Sequence, residues 1–188
     1  MNFAKRLVIA LALAGMASQA TAQNGYDGVR FVDAVREGKN NEALDLLRTA
    51  PTLVNARDGN GETALYAAVA GRDAGWTGHL LQQGADPNLA TKSGDTPLIA
   101  AARIGFVDAA EALILNGAKV DEANRMGETP LIIAVQQRSS RMVKLLLDQG
   151  ADPDRTDSAA GLSARDYAER DTRSRNLIRL IEAKKPKP

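Results

Sequence analysis

The 188 residues contain no cysteine, one histidine and one tryptophan. Without thiols there is no disulfide, no thiolate nucleophile, no cysteine-ligated metal and no cysteine-borne lipid. A lone histidine, His79, falls short of the three or four ligands of a stable metal site, and no serine stands in a nucleophile motif. An excess of one charge is missing too, since 24 Lys and Arg oppose 23 Asp and Glu. Neither nucleic acid nor an anionic membrane is an evident partner of such a chain. The longest apolar run, Leu7 to Ala17, is shorter than the about 20 residues that span a bilayer. These absences leave little material for catalysis, and no catalytic residue, no cofactor and no metal is expected.

What the chain does have is a period. Thr96-Pro97-Leu98-Ile99-Ala100-Ala101-Ala102 answers to Thr63-Ala64-Leu65-Tyr66-Ala67-Ala68-Val69 and to Thr129-Pro130-Leu131-Ile132-Ile133-Ala134-Val135, each 33 residues from the next. A second phrase keeps the same spacing: Leu80-Leu81-Gln82-Gln83-Gly84-Ala85-Asp86, Leu113-Ile114-Leu115-Asn116-Gly117-Ala118-Lys119 and Leu146-Leu147-Asp148-Gln149-Gly150-Ala151-Asp152. Thr is a good N-cap and Pro is preset for the first helical position, so each first phrase starts a helix. The second phrases carry the apolar side of another helix, closed by a glycine suited to a left-handed stop. Each unit is therefore two short antiparallel helices and a turn. No unit can bury its apolar face alone, so the units must stack.

Period and phrase resemble the ankyrin repeat, whose signature is T-P-L-H-x-A; Tyr66, Ile99 and Ile132 replace its histidine. The resemblance runs from about Val29 to Glu182 and implies an all-α solenoid with hairpin-like loops. Three regular repeats are expected between degenerate N- and C-terminal caps. The units fall at about 29–58, 59–92, 93–125, 126–158 and 159–183, together a repeat domain over 29–183.

Ahead of that domain, Lys5-Arg6, the apolar Leu7 to Ala17 and Ala20-Thr21-Ala22 read as a signal peptide over 1–22, cleaved after Ala22. Export to the periplasm or outside the cell is the expectation. Losing Lys5 and Arg6 leaves 22 basic against 23 acidic groups. Residues 23–28, with two Asx-Gly pairs, read as a flexible lead-in, and 184–188 as a disordered basic tail. Gly59-Asn60-Gly61-Glu62-Thr63-Ala64 spells G-x-G-x-x-A, yet Leu53 to Asp58 is too polar for the buried strand a dinucleotide loop requires. Because Gly61 recurs as Gly94 and Gly127, a repeat turn explains it. Trp76 aligns with the packing positions Ala109 and Met142 and reads as a bulky filler, with a contact role as the other option. His79 aligns with Ala112 and Leu145 and reads as partly buried between units.

The resemblance implies protein binding through the hairpin tips and the inner face of each first helix. Carried over position by position, the tips are Asn60, Glu62, Lys92, Ser93, Asp95, Arg125, Met126 and Glu128. The helices contribute Arg103, Ile104, Gln136 and Gln137. Ile104 and Met126, apolar where solvation favours polar groups, are expected to form one anchor rimmed by Arg103, Arg125, Asp95 and Glu128. The function read from the sequence is an exported, monomeric scaffold for a protein partner. The alternative is an inhibitor or immunity-like protein of an exported enzyme, with an enzyme third.

Overall fold

The computed structural model describes residues 26–171, 173 and 175–183. The expected signal, its cleavage point and the basic tail over 184–188 lie outside these residues. Ten α-helices and no strands are found among the described residues. The first, α1, covers 26–36. Then follow α2 (Asn40–Thr49), α3 (Ala64–Ala70), α4 (Ala74–Gln82), α5 (Pro97–Ile104), α6 (Val107–Leu115), α7 (Pro130–Gln136), α8 (Ser140–Asp148), α9 (Ala164–Arg170) and α10 (Arg175–Glu182), with a 3-10 turn at Pro51–Asn55.

Each repeat begins with a side-chain cap. Thr63, Thr96 and Thr129 accept the backbone N–H of Tyr66, Ile99 and Ile132 at 3.1, 3.3 and 3.2 Å. The bond needs only the main chain of that third position, so the helix starts whichever side chain stands there. In the last unit Ser163 and Asp166 cap each other in a capping box, satisfying two orphan donors of the first turn. The second helices stop where Gly84, Gly117 and Gly150 take φ of 84°, 90° and 90°. The next alanine N–H then reaches back to Leu80, Leu113 or Leu146, the left-handed closure that glycine adopts without a Cβ penalty.

The helices form two rows. α3, α5, α7 and α9 stack in one, α4, α6, α8 and α10 in the other, and the first row is the more closely packed. Alanine explains this, for Ala100, Ala101, Ala102 and Ala134 are all buried and let backbones approach. Leu65, Leu98 and Leu131 fill the space between first-row helices, and Leu80, Leu113 and Leu146 seal the second row; all six are fully buried. Side-chain staples join successive units at the far loops. Asn55, Asn88 and Asp121 accept the N–H of Asp86, Lys119 and Asp152 at 2.8, 2.9 and 3.0 Å, each bond contributing on the order of 1 kcal/mol.

The N-terminal cap starts earlier than the sequence suggested. α1 takes in residues 26–28, read as part of a flexible lead-in, because Gly28 is buried and lets the helix approach Ala56. A Cβ on Gly28 would stand 3.0 Å from that of Ala56. Trp76 joins this cap to the second unit. It is 6 % exposed, its indole N–H donates to Asn40 at 2.7 Å, and its ring meets Phe31 edge-on at 6.4 Å. His79 stacks edge-on against it at 5.5 Å. Trp76 is thus a packing residue, as the filler reading holds, and His79 is half-buried beside it.

Between the two helices of each of the first four units one residue is left-handed: Gly38, Arg72, Gly105 and Arg138, with φ of 70°, 57°, 65° and 54°. Two of these are arginines, which adopt this region only at a cost. Arg72 offsets it by donating to the Ile104 carbonyl at 2.6 Å and lying over the Phe106 ring at 5.3 Å. Arg72→Ala and Arg72→Gly both lose that clamp, but only alanine keeps the backbone strain. Denaturant titration is therefore expected to find the glycine variant more stable than the alanine variant by about 1 kcal/mol. Equal stabilities would refute the strain argument.

Candidate protein interface

The hairpin before each first helix is built on a side-chain acceptor. Asp58, Thr91, Asn124 and Asp157 recur every 33 residues. Asp58 Oδ1 accepts the N–H of Asn60 and Glu62 at 2.8 and 2.9 Å, and Thr91 Oγ1 accepts that of Asp95 at 3.2 Å. Asn124 Oδ1 accepts from Met126 and Glu128 at 2.9 and 3.0 Å. In the last unit Asp157 Oδ1 collects three donors, the N–H groups of Ala159, Ala160 and Gly161. These bonds curl the chain so tightly that Gly61, Gly94 and Gly127 are left-handed.

The tips then bond to one another through the main chain. Lys92 N–H donates to Asn60 C=O at 2.8 Å, Arg125 to Ser93 at 3.1 Å and Ser158 to Met126 at 2.8 Å. The result is an edge of identically framed turns whose side chains differ. Asn60, Lys92, Ser93 and Arg125 are exposed, and Met126 is 53 % exposed.

Behind the tips runs a polar network. Arg36 reaches from α1 to Asp58 at 2.6 Å and Glu62 at 2.9 Å. Arg103, at the end of α5, holds both oxygens of Asp95 at 2.8 and 3.2 Å. The Asn124 amide donates to Asp95 at 3.0 Å and to Glu128 at 2.9 Å. Tyr167 closes the row by donating to Asp157 at 2.6 Å.

Several site residues therefore sit differently from the sequence expectation. Asp95 is only 8 % exposed and is a structural anion between Arg103 and Asn124, so it offers no free tip charge. Glu62 and Glu128 are half-buried and engaged by Arg36 and Asn124. The first-row helices expose little beyond their last residues, because Pro97 to Ala102 and Pro130 to Val135 are buried throughout. That leaves Arg103, Gln136 and Gln137 exposed and Ile104 half-buried. Ile104 packs against the core at the end of α5 remote from the hairpins, roughly 12 Å along the axis from its start. Met126 is on a tip. The two do not form a single anchor, and among the described residues Met126 is the large exposed apolar side chain of the tip edge.

Arg36, Asn124, Asp157 and Tyr167 were not singled out from the sequence. The recurrence of an acceptor at 58, 91, 124 and 157 was available in the sequence and points to the turn anchors. Arg36 is two residues before the left-handed Gly38, as Arg103 is before Gly105, a correspondence visible only once the cap is aligned on its turn.

Charge inside the network shifts titration. Burial pushes Asp95 up, but Arg103 and Asn124 outweigh it and hold the carboxyl below its ordinary value. Asp58 is lowered likewise, its burial overcome by Arg36 and two backbone N–H groups. The Tyr167 hydroxyl, ahead of the three N–H groups, lowers Asp157, and the same bond, helped by burial, raises the Tyr167 phenol. A carboxyl more acidic in the fold than in the unfolded chain adds stability that is complete above the unfolded value of about 3.9 and lost as pH falls through the folded value. The phenol adds stability below its unfolded value of about 10, lost as pH rises further. Melting temperature is thus expected to be flat from about pH 5 to 9 and to fall on both sides. Tyr167→Phe removes the leading donor to Asp157, so its acid limb should move to higher pH. An unmoved acid limb would break the proposed coupling.

Residues 74–157 match the family model for ankyrin repeats (3 copies), running from α4 to the Asp157 turn. No curated protein matches the chain.

Proposed function

We propose that this solenoid, built around ankyrin repeats, is an exported scaffold that binds a partner protein on its hairpin tips and on the exposed ends of its first-row helices. Ankyrin repeats generally mediate protein–protein interaction. The observation that carries the reading is the tip edge itself. Main-chain bonds from Asn60 to Ser158 hold the turns in register, while Asn60, Lys92, Ser93, Arg125 and Met126 vary on that frame. Preorganised side chains lose little freedom on association, so such an edge favours binding. The partner contact centres on Met126, with Lys92 and Arg125 beside it and Arg103, Gln136 and Gln137 below. Ile104 is left out of the contact.

Export rests on Lys5-Arg6, the apolar run and Ala20-Thr21-Ala22. Sequencing the N-terminus of protein recovered from the periplasm should begin at Gln23, and an intact Met1 on all the recovered protein would refute it. For the interface, a photocrosslinking side chain at Met126 should capture one dominant protein in the native compartment. A second probe at Asn60 should capture the same protein, and the triple variant Lys92→Glu, Arg125→Glu, Met126→Glu should abolish that capture while changing stability by less than about 1 kcal/mol, as exposed sites do. A crosslink retained by the folded triple variant would overturn the assignment.

A further inference from the structure

The described arginines up to Arg103 are engaged within the fold. Arg30, Arg36, Arg48 and Arg103 sit on carboxylates, and Arg57 and Arg72 donate to backbone carbonyls. A different pattern holds where the helix–helix turns of the last two units meet. Arg138 and Arg173 share one carboxylate, Asp171, at 2.5 and 3.7 Å. Just beyond each lies a contact between the turns, Asn176 Nδ2 donating to Ser140 Oγ at 2.6 Å. Arg141 and Arg175 flank that bond, both exposed. Neither makes an ion pair among the described residues.

Arg138 and Arg173 thus share one carboxylate, while Arg141 and Arg175 stand exposed beside the bond that joins the two turns. Arg138 binds Asp171 through Nε. It does so from a left-handed backbone, φ 54°, at the position where Gly38 and Gly105 stand in other units. A strained residue kept at a charged surface points to a use for that charge.

We infer that this edge is a second binding surface, separate from the hairpin tips, and that its ligand is an acidic segment of a polypeptide. Guanidinium forks match carboxylates in paired, planar hydrogen bonds, which suits Asp or Glu side chains. The patch spans two adjacent turns, about 10 Å at helix-packing distances, room for two or three carboxylates. A nucleic acid would need a longer run of cations. Along the same edge Asp108 and Asp73 follow at the neighbouring turns and would repel a continuing phosphate backbone.

The test uses the mature chain and a fluorescent peptide of eight glutamates, with an eight-glutamine peptide and a single-stranded octanucleotide beside it. Anisotropy should show binding of the glutamate peptide at least tenfold tighter than of the other two, weakening as salt is raised. Arg141→Gln with Arg175→Gln should weaken it about tenfold, the loss of two charge-assisted contacts of about 0.7 kcal/mol each, with an unchanged melt. Lys92→Gln with Arg125→Gln, on the tips, should leave it unchanged. Equal binding of the glutamate and glutamine peptides, or no effect of the Arg141/Arg175 pair, overturns the inference. Preferential binding of the octanucleotide overturns the polypeptide assignment. Loss through the tip pair alone places the acidic segment on the tips.

Discussion

Gly127→Ala is expected to lower stability by about 3 kcal/mol, and Gly161→Ala by only about 1 kcal/mol. Both glycines are left-handed, with φ of 76° and 64°, so both substitutions meet the same backbone penalty. The difference lies in what the new methyl would touch. At Gly127 a Cβ would fall 2.6 Å from Ser158 N and 2.7 Å from Ser158 Oγ. At Gly161 nothing lies within 4 Å. Ser158 N–H is the donor that ties its hairpin to Met126, so alanine at 127 must push the next tip away and break that bond. The functional consequence follows directly: the tip edge loses its register between the fourth and fifth units. Chemical denaturation of the two variants side by side is the measurement, and equal losses would show that the tips are not held by this contact.

A second large effect is expected in the core. Leu131→Ala should cost about 3 to 4 kcal/mol, the range for a leucine removed from a tightly packed interior, whereas Leu115→Ala should cost close to nothing. Leu131 is fully buried and Leu115 is 80 % exposed. α7, which carries Leu131, packs on α5 to one side and α9 to the other. In a stack where each unit touches only its neighbours, a weak middle unit uncouples the ends. The Leu131→Ala transition should therefore broaden as well as shift, with the last unit and its arginine edge melting first. Hydrogen exchange resolves this, because early exposure confined to α9 and α10 is the expected signature. A uniform loss of protection would mean that the stack unfolds as one block.

The contrast between Leu131 and Leu115 shows where periodicity stops being informative. Both belong to the repeated phrases, and both are apolar in helices of the right length. Which way each points depends on where neighbouring units lie, and a phrase does not state that. Asp95 and Ile104 make the same point for the interface. A charge beside a turn and an apolar residue at a helix end look exposed one unit at a time. Arg103 holds Asp95 from within its own unit, and stacking adds Asn124 of the next hairpin and packs Ile104 on the core.

Within the described residues, the sequence alone determined the repeated architecture, because caps, prolines and glycines act through the main chain over three or four residues. Thr96, Pro97 and Gly117 start and stop helices wherever they occur, and a spacing of 33 then fixes the number of units. Only the tertiary structure decided how those units touch: which turn acceptors join into a ladder, which cations are neutralised and which are left round Asp171. Those outcomes depend on groups about 30 residues apart in the chain meeting within hydrogen-bonding distance, which is a property of the stack.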